Sequence, residues 1–271
     1  MNINSPIGIF DSGVGGLTVA RELFSLLPSE DIIYFGDVGR TPYGGRSENI
    51  IKQFTRQDIS FLMEKKVKLI ICACNTSSAV AIEDVKDRFD VEIIGVIKPG
   101  ATVAADKTKN GMIGVIGTRA TINSDAYAKT IKRIDPKLNV ISHPCPLFVP
   151  LVEENYLENE AAKIIAGNYL QVMKDAGIDT LVLGCTHYPL MKDIISQIMG
   201  DSVRLIDSGE ETAKAAQHYL YSITAVKEFV EKSKGERKFY VSDVPHQFSG
   251  IASRFLGHNI DSIEQVDITK Y

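Results

Sequence analysis

Short runs of β-branched and other apolar residues alternate with longer amphipathic stretches along most of this chain. The runs are Ile7–Phe10, Ile32–Phe35, Leu69–Ala73, Glu92–Val96, Met112–Ile116, Leu138–Ser142, Thr180–Leu183 and Arg204–Ile206. Between them, helical periodicity covers Leu17–Leu27, Glu48–Glu64, Ser77–Arg88, Ser124–Ile134, Glu160–Ala176 and Leu190–Met199. A strand that is apolar at consecutive positions must be covered on both faces, and helical crossovers between parallel strands supply that cover. The pattern predicts an α/β protein with mainly parallel sheets. Thr41-Pro42-Tyr43-Gly44-Gly45, Lys98-Pro99-Gly100 and Asp207-Ser208-Gly209 read as the turns that punctuate it.

The alternation also repeats. Ile7-Gly8-Ile9-Phe10-Asp11-Ser12 aligns with Ile113-Gly114-Val115-Ile116-Gly117-Thr118, an offset of 106 residues. LIICACNTSS from Leu69 aligns with LVLGCTHYPL from Leu181 when Cys74 is matched to Cys185, an offset of 111 residues. Two echoes in the same order predict two similar halves, residues 1–97 and 98–207, with the candidate site in the cleft between them. The remaining residues contain a helical stretch (Glu210–Tyr221), a strand-like stretch (Lys238–Val241) and an Asp243-capped helix. They look too few for a domain of their own. This tail is expected to return to the first half, giving domains of 1–97 plus 208–271 and of 98–207.

Composition removes several classes of function. Thirty basic and 34 acidic residues leave a net charge of −4, which does not suit a chain held to nucleic acid or an anionic membrane mainly by bulk charge. The hydrophobic share of 44% with 24% charged residues is that of a globular chain. No apolar run approaches the length of a membrane span. The start, MNINSPIGIFD, lacks the basic region of a signal peptide. The four cysteines are too few and scattered for a disulfide scaffold. The expectation is a cytoplasmic protein with reduced thiols.

In parallel sheets, ligands sit beyond the carboxyl ends of the strands. Three loops there carry unusual chemistry. Asp11-Ser12-Gly13-Val14-Gly15-Gly16 offers a carboxylate, a hydroxyl and glycine N–H groups, without the spacing of a nucleotide loop. Cys74-Asn75-Thr76 and Cys185-Thr186-His187 each place a cysteine where a strand ends, directly before polar groups, an environment that can stabilise a thiolate. Cys72 and Cys145 read as small core hydrophobes. Paired thiols in matching positions of two halves suit racemisation, in which one group removes a proton from a carbon and the other returns one to the opposite face. Free cysteine, with a pKa of about 8.5, is far more acidic than an amino-acid α-carbon. The site must therefore stabilise developing carbanion charge. Asp11 can hold an ammonium, Ser12, Asn75, Thr76 and Thr186 can hold carboxylates, and His187 can assist the neighbouring thiol. Thr118 mirrors Ser12 in the repeat and is a candidate substrate contact from the second half.

The strings IGIFDSGVGGL (7–17), YFGDVGRTPYG (34–44), CNTSSA (74–79), GVIGT (114–118), PLFVPLVEE (146–154) and LGCTHYPL (183–190) together resemble the glutamate racemases. That resemblance implies cofactor-independent interconversion of L- and D-glutamate, supplying D-glutamate for peptidoglycan. It implies that Cys74 and Cys185 are the two acid–base catalysts. It assigns Asp11, Ser12, Tyr43, Gly44, Asn75, Thr76, Thr186 and His187 to substrate binding, and Asp11, Glu153 and His187 to assisting proton transfer. No cofactor, metal, nucleic-acid or membrane partner is expected, and a homodimer is. Ala120 and Asn155 depart from the usual pattern, each standing where a glycine is more common. Few residues precede the first strand, so activation by a cell-wall precursor through a longer N-terminal extension is not expected.

Other readings remain open from the residues themselves. An aspartate or hydantoin racemase would share the two-thiol chemistry. Cys72, Cys74, Cys185 and His187 supply donor atoms suited to zinc, although no Cys-x₂-Cys knuckle is present. A non-catalytic amino-acid-binding module would have the same halves without needing the thiols. A pyridoxal-phosphate racemase would need a lysine in a cofactor motif, and none is recognisable.

Overall fold

A computed structural model describes residues 2–223, 234–244, 248–260 and 262–271. In the first half the elements are β1 (Ile7–Asp11), α1 (Leu17–Leu26), β2 (Ile32–Gly36), α2 (Glu48–Glu64), β3 (Leu69–Cys72), α3 (Asn75–Val80), α4 (Ile82–Val85) and β4 (Ile93–Gly95). The second runs α5 (Ile97–Lys107), β5 (Met112–Gly117), α6 (Arg119–Asn123), α7 (Ala126–Ile134), β6 (Asn139–Pro144), α8 (Phe148–Glu153), α9 (Glu160–Asp175), β7 (Thr180–Gly184), α10 (Lys192–Met199) and β8 (Arg204–Asp207). The chain closes with α11 (Ser208–Ile223), β9 (Arg237–Val241), α12 (Phe248–Leu256) and β10 (Glu264–Gln265).

Two sheets form, of order β10-β9-β2-β1-β3-β4 and β6-β5-β7-β8, with every pairing parallel. The order β2-β1-β3-β4 recurs as β6-β5-β7-β8, so the sequence echo is an echo of topology. β1, β2, β3 and β7 are buried at every residue, as their unbroken apolar runs require. β4 and β6 lie at the sheet edges and are only partly buried. From the tail, β9 pairs with β2 in register Tyr34↔Phe239, and β10 pairs with β9. α1 packs against α11 and α12, and α11 also packs against α5. One apolar core joins Ile9, Leu17 and Phe239 to Phe148, Leu183 and Phe255, so it runs through both halves. No helix among the described residues is long and apolar enough to cross a membrane.

The sequence reading needs five corrections, the first being Asp207-Ser208-Gly209, which is no turn because β8 ends at Asp207 and α11 begins at Ser208. Lys98-Pro99-Gly100 is not a turn but the first turn of α5. Proline is tolerated there because the N–H it lacks has no partner inside the helix. Gly100 is small enough to pack on Ser208 and Tyr127. The stretch Ser77–Arg88 is not one helix. Cys74 caps α3 two residues earlier than expected, the backbone breaks at Ala81, and α4 is followed by a 3-10 turn at Lys86–Arg88. Two short helices, α6 and α8, were not anticipated because each is shorter than a helical period can reveal. Finally, Asp243 and Val244 are not helical, and the described part of the helix assigned to an Asp243 cap is Phe248–Leu256. Asp243 Oδ1 accepts from Val244 N–H, and residues 245–247 lie outside the described segments.

One departure from the family pattern acquires a physical reason. Asn155, which follows the Glu154 C-cap of α8, has φ +55°. Left-handed backbone is what glycine provides freely and asparagine tolerates better than most residues. Asn155 therefore preserves the turn that ends α8 just after Glu153.

Candidate active site

The two matched strand pairs deliver the predicted residues to one region. Asp11 ends β1, and Cys74 follows β3 as the N-cap of α3, where its sulfur accepts from Ser77 N–H at 3.5 Å. In the second half Thr118 follows β5 as the N-cap of α6, and Cys185 follows β7. All four cysteines are reduced and buried.

The Asp11–Gly16 loop runs between the two cysteine loops. Asp11 Oδ2 accepts from Gly13 N–H at 3.0 Å, and Tyr34 OH donates to the Gly13 carbonyl at 2.7 Å, fixing the loop from below. The Cys74 thiol donates to Ser12 Oγ at 3.5 Å. Across the loop, a Cβ on Gly15 would lie 2.1 Å from Thr186 Oγ1 and 2.7 Å from the His187 ring. Thr18 Oγ1 donates to the Thr186 carbonyl at 3.0 Å. Glycine at 15 therefore does more than expose an N–H, since it is what lets the second cysteine loop close against the first half.

Cys185 and His187 form a chain that ends at Glu153. His187 Nδ1 lies 3.9 Å from Cys185 Sγ, and Nε2 lies 2.9 Å from Glu153 Oε1. The ring stacks edge-on against Phe255 of α12 at 5.0 Å between centroids. Burial alone would lower the imidazolium, but its contacts with Cys185 and Glu153 outweigh that and hold it up at about 10. A cation beside the Cys185 sulfur complements negative charge there. The other thiol sits in the opposite environment. Burial and the Asp11 carboxylate push Cys74 up to about 11, against its hydrogen bonds with Ser12 and Ser77. Burial also raises Asp11, opposed by the charge on His187 and by the N–H groups of Gly16, Gly13 and Ser12. The two sulfurs are thus set up unequally, one as an acid and one beside a cation.

A second contact between the halves is made of threonines. Thr118 Oγ1 lies 3.0 Å from Thr76 Oγ1 and 3.1 Å from Thr121 Oγ1, and a Cβ on Gly44 would meet Thr118 Cβ at 2.8 Å. Thr118 is therefore brought to Thr76 and Gly44. Tyr127 OH donates to Asn75 Oδ1 at 2.7 Å, which leaves Asn75 Nδ2 as the free end of that amide. Asp11 Oδ1 and Asn75 Nδ2 are both buried without a hydrogen-bond partner among the described residues. One is an anionic acceptor and the other a neutral donor, a pair suited to an ammonium and a carboxylate. Tyr43 is placed differently from a simple ligand residue. Its hydroxyl is engaged by Asp37 and Asp58 and its ring packs on Phe54, so only its backbone is left for a substrate.

Three contributors were not legible as site residues: Tyr127, Thr121 and the clearance role of Gly15. Tyr127 sits on the buried face of an amphipathic helix, where the sequence signal is that of a core residue. Among the described residues no group of three or more His, Cys, Asp or Glu side chains is arranged to hold a metal, and Cys72 is spent on the Cys74 carbonyl.

Comparison with known proteins gives a consistent neighbourhood. A family profile described as Asp/Glu/Hydantoin racemase matches residues 46–216. A glutamate racemase of Geobacter metallireducens is 47% identical over 262 residues, covering 97% of this chain and 96% of that protein. A solved glutamate racemase from Francisella tularensis, in complex with D-glutamate, superposes with TM-score 0.93 at 40% identity over the whole of both chains. A glutamate racemase isoform from Bacillus anthracis gives TM-score 0.92 at 38% identity over 97% of each chain.

Proposed function

The chain belongs to the glutamate racemases, and from that membership we propose that it interconverts L- and D-glutamate by proton transfer between Cys74 and Cys185. The observation that carries the mechanism is the pair of buried thiols at matching strand ends, on either side of the Asp11 loop and in contrasting electrostatic settings. Asp11 Oδ1 receives the substrate ammonium, and Asn75 Nδ2 donates to a carboxylate, with Ser12, Thr76, Thr118, Thr186 and the backbone of Tyr43 and Gly44 completing the grip. A thiolate removes the α-proton from one face while the opposing thiol protonates the other. Cys185 acts as base on L-glutamate and Cys74 on D-glutamate. His187 and Glu153 serve the Cys185 side and Asp11 the Cys74 side. The retained ammonium and the buried donors stabilise the carbanion as it forms, which is where such a site gains most of its rate.

The same proposal takes residues 1–97 with 208–271 as one domain and 98–207 as the other, supported by the two sheets. It also takes the enzyme as a cytoplasmic homodimer that needs no cofactor or metal and supplies D-glutamate for peptidoglycan. The test is direct. L-Glutamate incubated with exhaustively chelated and dialysed protein should become racemic, followed by circular dichroism or chiral chromatography. Aspartate under the same conditions should turn over far more slowly. Activity lost on chelation and restored by zinc or pyridoxal phosphate would defeat the mechanism.

The pH dependence follows from proton counting. Turnover needs one proton on the two sulfurs, so acid protonates both and alkali removes both, and kcat/KM is expected to be bell-shaped. Burial and the Asp11 carboxylate hold the proton on Cys74 well above the ordinary thiol range, so the alkaline limb is expected well above neutrality. The limbs belong to the coupled pair rather than to either cysteine. Because enantiomers are equally stable in water, kcat/KM must be the same in both directions at every pH. A monotonic alkaline rise with the protein still folded would show that no protonated thiol is required.

A further inference from the structure

Behind the Tyr43–Gly44 turn lies a buried cluster that the reaction does not use. Asp37 and Asp58 are fully buried and Tyr43 nearly so. Arg40 reaches into them from a partly exposed position: Nε donates to Asp37 Oδ2 at 2.6 Å, Nη2 to Asp58 Oδ1 at 3.1 Å, and Nη1 to Gln57 Oε1 at 2.5 Å. The Tyr43 hydroxyl is in hydrogen-bond contact with Asp37 Oδ2 and also with Asp58 Oδ2, the latter at 3.1 Å.

Hydrogen counting together with the strength of the Arg40 contact assigns the protonation. A phenol has one proton, so it cannot donate to two carboxylates. Asp37 Oδ2 already accepts from Arg40 Nε at 2.6 Å, a short charge-assisted contact that a carboxylate oxygen makes better than the weaker acceptor of a protonated carboxyl. Asp37 is therefore the ionised acceptor, and Tyr43 donates to it. The remaining contact joins two oxygens, Tyr43 Oη and Asp58 Oδ2, and is attractive only if the Asp58 carboxyl carries the proton. That assignment also balances charge, since one carboxylate then faces one guanidinium in a site shielded from water.

We infer that Asp58 is a neutral carboxylic acid that donates to Tyr43 and acts as a positioning residue, locking the Tyr43–Gly44 turn in the place where it meets substrate and Thr118. Burial, with Asp37 beside it, raises the Asp58 carboxyl well above the ordinary aspartate range, against the opposing effects of Arg40 and Tyr43. Asp11 and Cys72 are its other ionisable neighbours. The lock reaches the site by two routes. Asp37 N–H donates to the Asp11 carbonyl at 2.9 Å, and Gly44 packs directly on Thr118 of the other half. Arg40 is itself held 4.0 Å over the Phe54 ring of α2. α2 thereby clamps the turn through one phenol and one proton.

The part concerning substrate rests on the function proposed above, so the test has one arm without substrate. Infrared difference spectra of wild type against Asp58→Asn, both ligand-free at pH 7, should show a carboxylic-acid C=O band in wild type that shifts in D₂O. Absence of that band means Asp58 is ionised and overturns the proposal. In the second arm, Asp58→Asn keeps a neutral donor in place of the acid. It should leave KM for glutamate within about twofold, as a retained hydrogen bond implies, whereas Asp58→Ala should raise KM roughly tenfold with a smaller change in kcat. A tenfold KM increase in a folded Asp58→Asn variant overturns the lock even if Asp58→Ala does not fold. An infrared band without any glutamate racemisation would instead leave the proton in place and fault the proposed function.

Discussion

Cys74→Ala and Cys185→Ala are each expected to lower racemisation in both directions by about 10²- to 10⁴-fold or more, because in the proposed mechanism each removes the group assigned to one face of the α-carbon. The fold should survive. Both sulfurs lie at strand ends beside polar loops, and removing one atom there should cost well below the roughly 2–5 kcal/mol of a Leu→Ala core truncation. Cysteine-to-serine variants sharpen the test. A one-base reaction such as halide elimination from a β-chloro substrate analogue needs proton removal but no proton return. Cys74→Ser retains Cys185 and should process the L-analogue. Cys185→Ser retains Cys74 and should process the D-analogue. Equal preference in the two variants would contradict placement on opposite faces, and near-wild-type turnover in either alanine variant would rule out the two-thiol scheme.

Gly15→Ala is expected to damage both the fold and the site. The new methyl would stand 2.1 Å from Thr186 Oγ1 and 2.7 Å from the His187 ring, inside their van der Waals envelopes. Something must move, and the neighbours have little freedom. The Thr186 carbonyl is held by Thr18, and the His187 ring is fixed between Glu153 and Phe255. Overpacking of this kind costs about 1–3 kcal/mol, which should appear as a lower Tm. The catalytic loss should be larger than stability explains. Shifting the Cys185–His187 loop by about 1 Å costs on the order of 100-fold in kcat/KM. Kinetics on protein shown to be folded by circular dichroism separates the two effects. Wild-type activity with unchanged Tm would mean that the loops do not meet as described.

The halves of the fold differ in how readily they show in sequence. β1, β3, β5 and β7 carry apolar runs bounded by polar loops, and the runs repeat in order, so both the strands and the kinship of the two sheets could be read directly. Cys74 and Cys185 stood out because a strand end is an unusual place for a thiol followed by polar groups. By contrast Lys98-Pro99-Gly100 at the start of α5 reads as a turn, since Pro99 and Gly100 signal punctuation by composition. Whether a proline breaks a helix depends on its distance from the helix start, which only the completed backbone shows.

What the sequence determined by itself, then, is everything written in local period and local chemistry. That covers the parallel α/β class, the paired thiol loops, the carboxylate at the end of β1 and the resemblance to glutamate racemases. What only the tertiary structure decided is which groups meet across long separations. Thr118 touching Thr76, Tyr127 turning the Asn75 amide, Gly15 admitting His187, and Tyr43 held by Asp37 and Asp58 all depend on how strands far apart in the chain lie side by side. The physical reason is that a side chain's hydrogen-bond partners and proton affinity belong to its surroundings rather than to its residue type. The same kind of residue ends two strands, yet Cys74 faces a carboxylate and Cys185 faces an imidazolium.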